Sequence, residues 1–219
     1  MRTCFKFIVY FILVIGFSMA RAGSYEDFFT AVLRDDAATI NSLLDRGFDA
    51  NALDPKGRPG LFVAVQEGSL KAANALIDWP KTRAEWRSDK DESPLMLACL
   101  KGYTELVRKL IARDADVNKP GWAPLHYAAT TGRVDIMQIL LDENAYVDAE
   151  SPNKSTPLMM AAMYGSTAAV KLLLDAGADP TLRNELGMSA IDFAQRGNRP
   201  DAAETIAAAI RGRQPKGKW

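Results

Sequence analysis

The sequence predicts an all-α fold, a stack of about six helix-turn-helix repeats that includes a cap at each end. Three observations predict it. Glu26, Pro59, Ser93, Ala123, Thr156 and Ser189 hold equivalent places in six similar segments, separated by 33, 34, 30, 33 and 33 residues. Each start leads into a short apolar run with small residues on one side, such as Leu95-Met96-Leu97-Ala98-Cys99 or Leu158-Met159-Met160-Ala161-Ala162. A second run with apolar residues at helical spacing follows, as in Val134-Asp135-Ile136-Met137-Gln138-Ile139-Leu140-Leu141. Neither helix of such a hairpin can bury its apolar face alone, so every copy needs neighbours of its own kind.

The fourth copy is the most regular. Ala123-Pro124-Leu125-His126-Tyr127-Ala128-Ala129 opens it with proline in the first turn, and Asn144 stops its second helix as a residue that tolerates the left-handed conformation. Asp175-Ala176-Gly177-Ala178-Asp179-Pro180 closes the fifth in a similar way. These segments resemble the ankyrin repeat, whose consensus opens T-P-L-H-x-A-A and closes on a G-A-D-x-N-like turn. The resemblance covers roughly Ser24 to Gly212. It implies antiparallel helix pairs stacked into a solenoid, with finger-like turns along one edge and a concave surface of fingers and inner helices that binds other proteins. The chain departs from the consensus in places. The histidine occurs once, at His126, beside Ala123 rather than a threonine. Capping therefore falls to Ser93, Thr156 and Ser189, with Pro94, Pro124 and Pro157 in the first turn. Asp114 stands where a glycine is usual and brings some strain if that position is left-handed.

In chain order, Met1 to Lys6 is basic, Phe7 to Phe17 is apolar, and Ala20-Arg21-Ala22 supplies small residues before a cleavage point. Residues 1–22 read as a secretory signal peptide, which implies a periplasmic or secreted protein beginning at Gly23. The apolar core is shorter than the roughly 20 residues that span a bilayer. The alternative is an uncleaved leader that tethers the array to a membrane. The whole chain has 27 basic and 27 acidic residues; losing Arg2, Lys6 and Arg21 with the leader leaves 24 basic, a net charge of −3. That is no footprint for nucleic acid. Cys4 leaves with the leader, so no intramolecular disulfide can form, and Cys99 occupies a slot that other copies fill with alanine or valine.

Ser24 is predicted to cap a first helix through Phe28, Phe29, Val32 and Leu33, with Asp27 as its partner three residues on. The second helix of this copy spans Ala37 to Asp45 and stops at Gly47, and Asn51 to Gly57 forms the first finger. In the second copy a helix from Leu70 to Asp78 is ended by Pro80. The charged segment Lys81 to Glu92 then replaces the expected turn; either Trp86 recognises a partner there, or Trp79 and Trp86 pack over the joint. Between the third and fourth copies the finger is three residues short, reduced to Lys119-Pro120-Gly121 before Trp122. That tryptophan either anchors a partner in the resulting notch or folds back to cover the turn. The sixth copy ends in a capping helix from Asp201 to Ile210. The repeat domain is thus 23–212, followed by a basic tail, 213–219.

No glycine-rich phosphate loop, H-E-x-x-H, G-x-S-x-G or paired-cysteine zinc pattern occurs in the chain. With one histidine and one cysteine beyond the leader, catalysis, metals and cofactors have few possible residues, and the expectation is a non-enzyme with no cofactor. The different-class alternative is an enzyme built from surface carboxylates such as Glu67, Asp89, Asp91 and Glu92. His126 occupies the structural histidine slot of the repeat. The resemblance implies that a protein partner meets Lys56, Arg58, Gln66, Glu67, Trp86, Lys90, Glu92, Leu100, Lys101, Trp122, Thr130, Thr131, Asn153, Ser155, Met163, Tyr164, Leu186 and Met188. Within that set Leu100, Trp122, Met163 and Tyr164 would form an apolar centre. The function this reading predicts is a scaffold or protective partner of a periplasmic or envelope protein. An inhibitor or immunity protein for a toxic or degradative enzyme is the alternative.

Overall fold

The computed structural model describes residues 23–213, which form twelve helices and no strand. In the first compact unit, which ends at Arg83, these are α1 (23–33), α2 (Ala37–Asp45), α3 (Gly60–Glu67) and α4 (Leu70–Asp78). The second unit, from Ala84, holds α5 (Pro94–Lys101), α6 (Thr104–Ala112), α7 (Pro124–Thr130), α8 (Val134–Asp142), α9 (Pro157–Met163), α10 (Thr167–Asp175), α11 (Ala190–Arg196) and α12 (Pro200–Arg213). The expected leader and the last six residues of the expected tail lie outside the described residues. Arg213 itself belongs to α12, which is longer at both ends than the sequence predicts: Pro200 suits a first helical turn, and Arg211 and Arg213 suit the negative end of the helix dipole.

In the second unit α5, α7, α9 and α11 pack side by side as an inner layer, and α6, α8, α10 and α12 as an outer one. The second helices of α5 to α10 bury one apolar stripe each, for example Leu106, Val107 and Leu110 in α6 and Ala169, Val170 and Leu173 in α10. The inner helices are buried over most of their circumference. Alanines such as Ala98, Ala128, Ala129, Ala161 and Ala162 let them approach closely. In the first unit α2 and α3 pack against α4, and Phe28 lies buried against Phe48, with ring centroids 4.7 Å apart.

The predicted starts are the N-caps of five inner helices: Pro59, Ser93, Ala123, Thr156 and Ser189. The hydroxyls of Ser93, Thr156 and Ser189 accept from the backbone N–H three residues on. The third residue of each inner helix of the second unit returns a bond to the cap N–H: Met96 and Met159 through sulfur, His126 through Nδ1, Asp192 through its carboxylate. Ser24 does not cap α1, because residue 23 is already helical. Asn144 and Asp114 take the left-handed conformation, each with φ of 61°, as the sequence predicts.

A side chain from one joint fixes the backbone of the next along each unit. Asn51 accepts from the Arg83 amide at 2.8 Å and donates to the Lys81 carbonyl. Asn118 does the same between the Tyr146 amide and the Asn144 carbonyl, and Asp148 accepts from the Asp179 amide at 3.0 Å. Burial pushes the Asp148 carboxyl above its ordinary value, with the charge of Asp179 adding to the rise. Outer helices are tied similarly: Thr104 donates to Asp135 at 2.6 Å, and Thr167 to Asp201.

Candidate protein-binding face

Four fingers share one backbone design. Each is a five-residue turn closed by an amide-to-carbonyl bond from its first to its fifth residue: Asp54 to Arg58, Ser88 to Glu92, Ser151 to Ser155 and Asn184 to Met188. The fourth residue is left-handed in all of them, being Gly57, Asp91, Lys154 and Gly187. The first residue always carries a side-chain oxygen that accepts from amides inside the turn, as Asp54 Oδ1 does from Lys56 and Arg58 and Asn184 Oδ1 from Leu186 and Met188. The segment Lys81 to Glu92 is therefore not a replacement for a finger; it contains a regular one at Ser88–Glu92. Its signal in the sequence is the polar residue that opens each finger and spares the backbone from relying on water.

Because the closing bonds are all internal, the tip residues Lys56, Lys90, Asn153 and Leu186 are exposed without breaking the turn, and Leu186 is 74% exposed. The last two fingers are joined to each other, since the Glu185 amide donates to the Asn153 carbonyl at 3.1 Å. Arg58 is held by Asp54 through two nitrogens, at 2.9 and 2.7 Å, and reaches Gln66 at 2.6 Å. Burial raises the Asp54 carboxyl, but the bonds from Arg58 and Lys56 outweigh that and leave it below the usual range.

The shortened joint is stapled by charge. Lys119 is buried at its amine and donates to the carboxylate and carbonyl of Asp91, in the preceding finger. Arg87 bridges Asp116 at 3.0 Å, Glu85 at 3.1 Å and Asp91 at 3.5 Å. Glu92 hydrogen-bonds Tyr127, whose hydroxyl is pushed up to about 12 by burial and then by that carboxylate. Asp91 is held low by the hydrogen bond from Lys119. Asp91 and Glu92 thus anchor the finger. Removing one partner of an ion pair is most harmful when the charge left behind is the buried one, here the Lys119 amine, whereas Asp91 is half exposed and keeps Arg87. Asp91→Asn should therefore lower stability by about 2 kcal/mol, discounted for the exposed side of Asp91, while Lys119→Met stays within about 1 kcal/mol of the parent. Urea melts of the two variants check this; equal losses would mean that the pair is only a surface contact.

On the inner helices one stripe is left uncovered. Every residue of α7 is buried except Tyr127 and Thr130, and every residue of α9 except Met160 and Met163; exposed Thr131 and Tyr164 follow directly. These positions are three and four residues apart, so they lie on one helix face. The equivalent places are Leu97, Leu100 and Lys101 on α5, and Phe193 and Arg196 on α11. Leu97, Tyr127, Met160 and Phe193 escape the sequence reading, although each stands four residues after its cap, a position the repeat spacing could have flagged. Tyr164 is 55% exposed, whereas Leu97 is 7% exposed at the base of the stripe.

Of the residues expected to meet a partner, Glu67, Lys101 and Thr131 are exposed as well as the four tips, and Trp86, Glu92, Leu100, Thr130, Met163 and Met188 are half-buried. Ser155 is a correction. It is buried, its carbonyl faces His126 Nε2 at 3.0 Å, and its hydroxyl accepts from Asn184 at 3.4 Å; the fifth residue of a finger turns inward to start the next helix. Trp122 is half-buried and sets its ring edge-on to His126, with centroids 5.3 Å apart. It is therefore partly packed against the start of α7 and partly open. Trp122→Ala should cost about 2 kcal/mol by thermal or urea melting, more than a surface change. A loss below 0.5 kcal/mol would return Trp122 to the surface.

His126 is fully buried. Nδ1 accepts from the Ala123 amide at 3.1 Å, which leaves Nε2 to donate to Ser155. Burial lowers its pKa to about 4, so it is neutral and structural. Burial also raises the Cys99 thiol well above its ordinary value, which leaves it protonated and unreactive. Among the described residues no cluster of His, Cys, Asp or Glu could hold a metal ion, and no helix is long and apolar enough to cross a membrane.

The sequence profile of ankyrin repeats (3 copies) matches residues 28–120, 61–151 and 145–215, which together span most of the described chain. The chain belongs to the ankyrin-repeat family. An ankyrin repeat domain from Acinetobacter baumannii superposes with a TM-score of 0.74 at 25% identity, covering 84% of this chain and 97% of that one. A chain from the structure of a predatory endopeptidase of Bdellovibrio bacteriovorus in complex with an immunity protein superposes with a TM-score of 0.72, over 83% of this chain and 97% of that one. At 24% identity the latter likeness shows the fold alone. Among curated relatives, a putative ankyrin repeat-containing protein of Treponema pallidum is 27% identical over 80% of this chain, which spans 49% of that protein. Ankyrin repeat and SAM domain-containing protein 6 of Rattus norvegicus is 31% identical over 64% of the chain, which spans 16% of its length. The all-α ankyrin-repeat fold is one whose members typically act as non-catalytic binding scaffolds, and ankyrin repeats imply a protein partner.

Proposed function

We propose that this chain is an exported, non-catalytic module that binds a periplasmic or envelope protein as its scaffold or protective partner. The observation that carries the binding reading is the uncovered stripe on α7 and α9, where every other residue is buried. Repeat packing requires the buried positions; it does not require Tyr164 or Met163 at the open ones, and large apolar residues at such places suit a partner's surface. Export rests on the basic, apolar and small-residue pattern of residues 1–22.

A second reading keeps the same face and makes the partner an enzyme that the chain inhibits. It is favoured by the likeness in fold to a chain of the endopeptidase and immunity protein complex. Affinity capture from the envelope fraction, with the chain and its Met163→Ala/Tyr164→Ala variant as baits, tests the binding reading. A protein recovered by the first and lost by the second supports it, and recovery of no protein by either bait counts against it. Inhibition of the captured protein's activity by the purified chain would select the second reading. An intact mass beginning at Gly23 tests export, and a mass that retains residues 1–22 would refute cleavage.

A further inference from the structure

Four joints between successive repeats place a half-buried polar side chain in the same position and use it to hold the turn of the next repeat: Asn51, Glu85, Asn118 and Asp148. The two asparagines do so with two bonds each. The side-chain oxygen accepts from the next turn's amide, that of Arg83 or Tyr146, each at 2.8 Å. The side-chain nitrogen donates to the carbonyl two residues earlier, that of Lys81 at 2.9 Å or Asn144 at 2.7 Å. Glu85 and Asp148 accept in the same way, Glu85 from the Asp116 amide at 3.3 Å and Asp148 from the Asp179 amide through both oxygens, at 3.1 and 3.0 Å. An ionised carboxylate has no hydrogen to give, so the carbonyls in the matching places, Asp114 and Gly177, receive no bond from it.

The two acids differ in their surroundings. Glu85 Oε1 lies 3.1 Å from Arg87 Nε, with Lys119 and Asp116 as the other charges that face it. Asp148 is faced by Asp179 in the next turn, which favours the protonated form, and by Arg213 at the end of α12, which favours the ionised one. His126 faces the backbone of the neighbouring Ala149 and is neutral down to about pH 4. The turn that Asp148 holds matches the one that Asn118 holds. Asn144 and Gly177 are both left-handed, and the amides that follow them, of Ala145 and Ala178, bond to the carbonyls of Leu140 and Leu173 alike.

We propose that the joint between the fourth and fifth repeats tightens in acid: Asp148 takes a proton from solvent and donates a hydrogen bond to the Gly177 carbonyl, while its other oxygen keeps the Asp179 amide. The joint then has the pair of bonds that Asn51 and Asn118 supply to theirs at every pH. Burial holds the Asp148 carboxyl above its ordinary value, so the folded chain takes up this proton before the unfolded chain does. The added stability is therefore fully present below the ordinary aspartate value of 3.8 and is lost as pH rises through the folded value.

Carbon-13 NMR titration of the protein and of its Asp148→Asn variant reads the bond itself. In the parent the Asp148 carboxyl should titrate above 3.8, and the Gly177 carbonyl resonance should move downfield with the same midpoint. In Asp148→Asn that resonance should hold the downfield position already at pH 7 and stay there as pH falls. Urea unfolding gives a second measurement: Asp148→Asn should have a higher midpoint than the parent at pH 7, with the excess falling by at least half as pH is lowered through the carboxyl's titration. His126 is common to both proteins, so its own acid sensitivity cancels in the comparison. An Asp148 carboxyl that titrates at or below its ordinary value, a Gly177 carbonyl that does not follow it, or an Asp148→Asn variant no more stable than the parent at pH 7 would overturn the proposal.

Discussion

Gly165→Ala should destabilise the second unit by about 3 kcal/mol. A Cβ on Gly165 would lie 2.4 Å from the carbonyl oxygen of Ala129 in the preceding repeat, and 3.0 Å from both Cα and O of Ala161. All three are backbone atoms, so no side chain can rotate to make room, and two stacked inner hairpins would have to separate. Overpacking of this kind costs typically 1–3 kcal/mol, and rigid surroundings place this case at the upper end. The Gly165 carbonyl also accepts from Arg199 Nη1 at 2.6 Å, so movement there disturbs the sixth repeat as well. Gly177→Ala is the control. Its Cβ would meet nothing within 4 Å, and only the left-handed φ of +100° is strained, which should cost about 1 kcal/mol. Urea unfolding of the two variants decides the matter; similar losses in both would show that the close approach of the repeats is not the cause.

His126 should make the protein sensitive to acid in a defined window. Its pKa is near 4 in the folded chain against an ordinary 6.5, chiefly through burial, so the unfolded state takes up the proton more readily. The contribution of the neutral ring is fully present above pH 6.5 and is lost as pH falls from there towards 4. A shift of that size corresponds to roughly 3 kcal/mol over the window. Carboxylates held low by hydrogen bonds, such as Asp36, Asp135 and Asp192, act in the same direction but at lower pH, while Glu85 and Asp148, held high by burial, act in the opposite direction. Comparison with His126→Leu isolates the histidine. This variant leaves the Ala123 amide and Ser155 carbonyl without their ring partner and should lose about 2–4 kcal/mol at pH 7. The gap between parent and variant should narrow by most of that amount by pH 4.5, measured by urea unfolding. A gap independent of pH would mean that the ring is protonated without penalty.

Much of the architecture was legible because it depends on local pattern. The starts, the proline turns and the bounds of α2 and α4 follow from spacing, capping chemistry and helix stops, all within a few residues of one another in the chain. His126 was legible as a structural group for the same reason. The finger at Ser88–Glu92 was not, because it has neither the proline nor the glycine that marks the other three as turns; what all four share is an opening side-chain oxygen and a left-handed fourth position, adopted by Gly57, Asp91, Lys154 and Gly187 alike. Ser155 was misplaced because one residue separates an exposed tip from a buried helix start.

By itself the sequence determined the all-α repeat class, the number and phase of the copies and the family they belong to, since a hairpin that cannot bury its own apolar face dictates a stack. Only the tertiary structure decided which side chains the stack leaves open. Lys119 became a buried staple through Asp91, 28 residues away, and Trp122 became a cover for His126. Tyr127, Met160 and Phe193 were left partly open when their neighbours were covered. Burial is set by residues roughly one repeat distant, and local spacing carries no term for them.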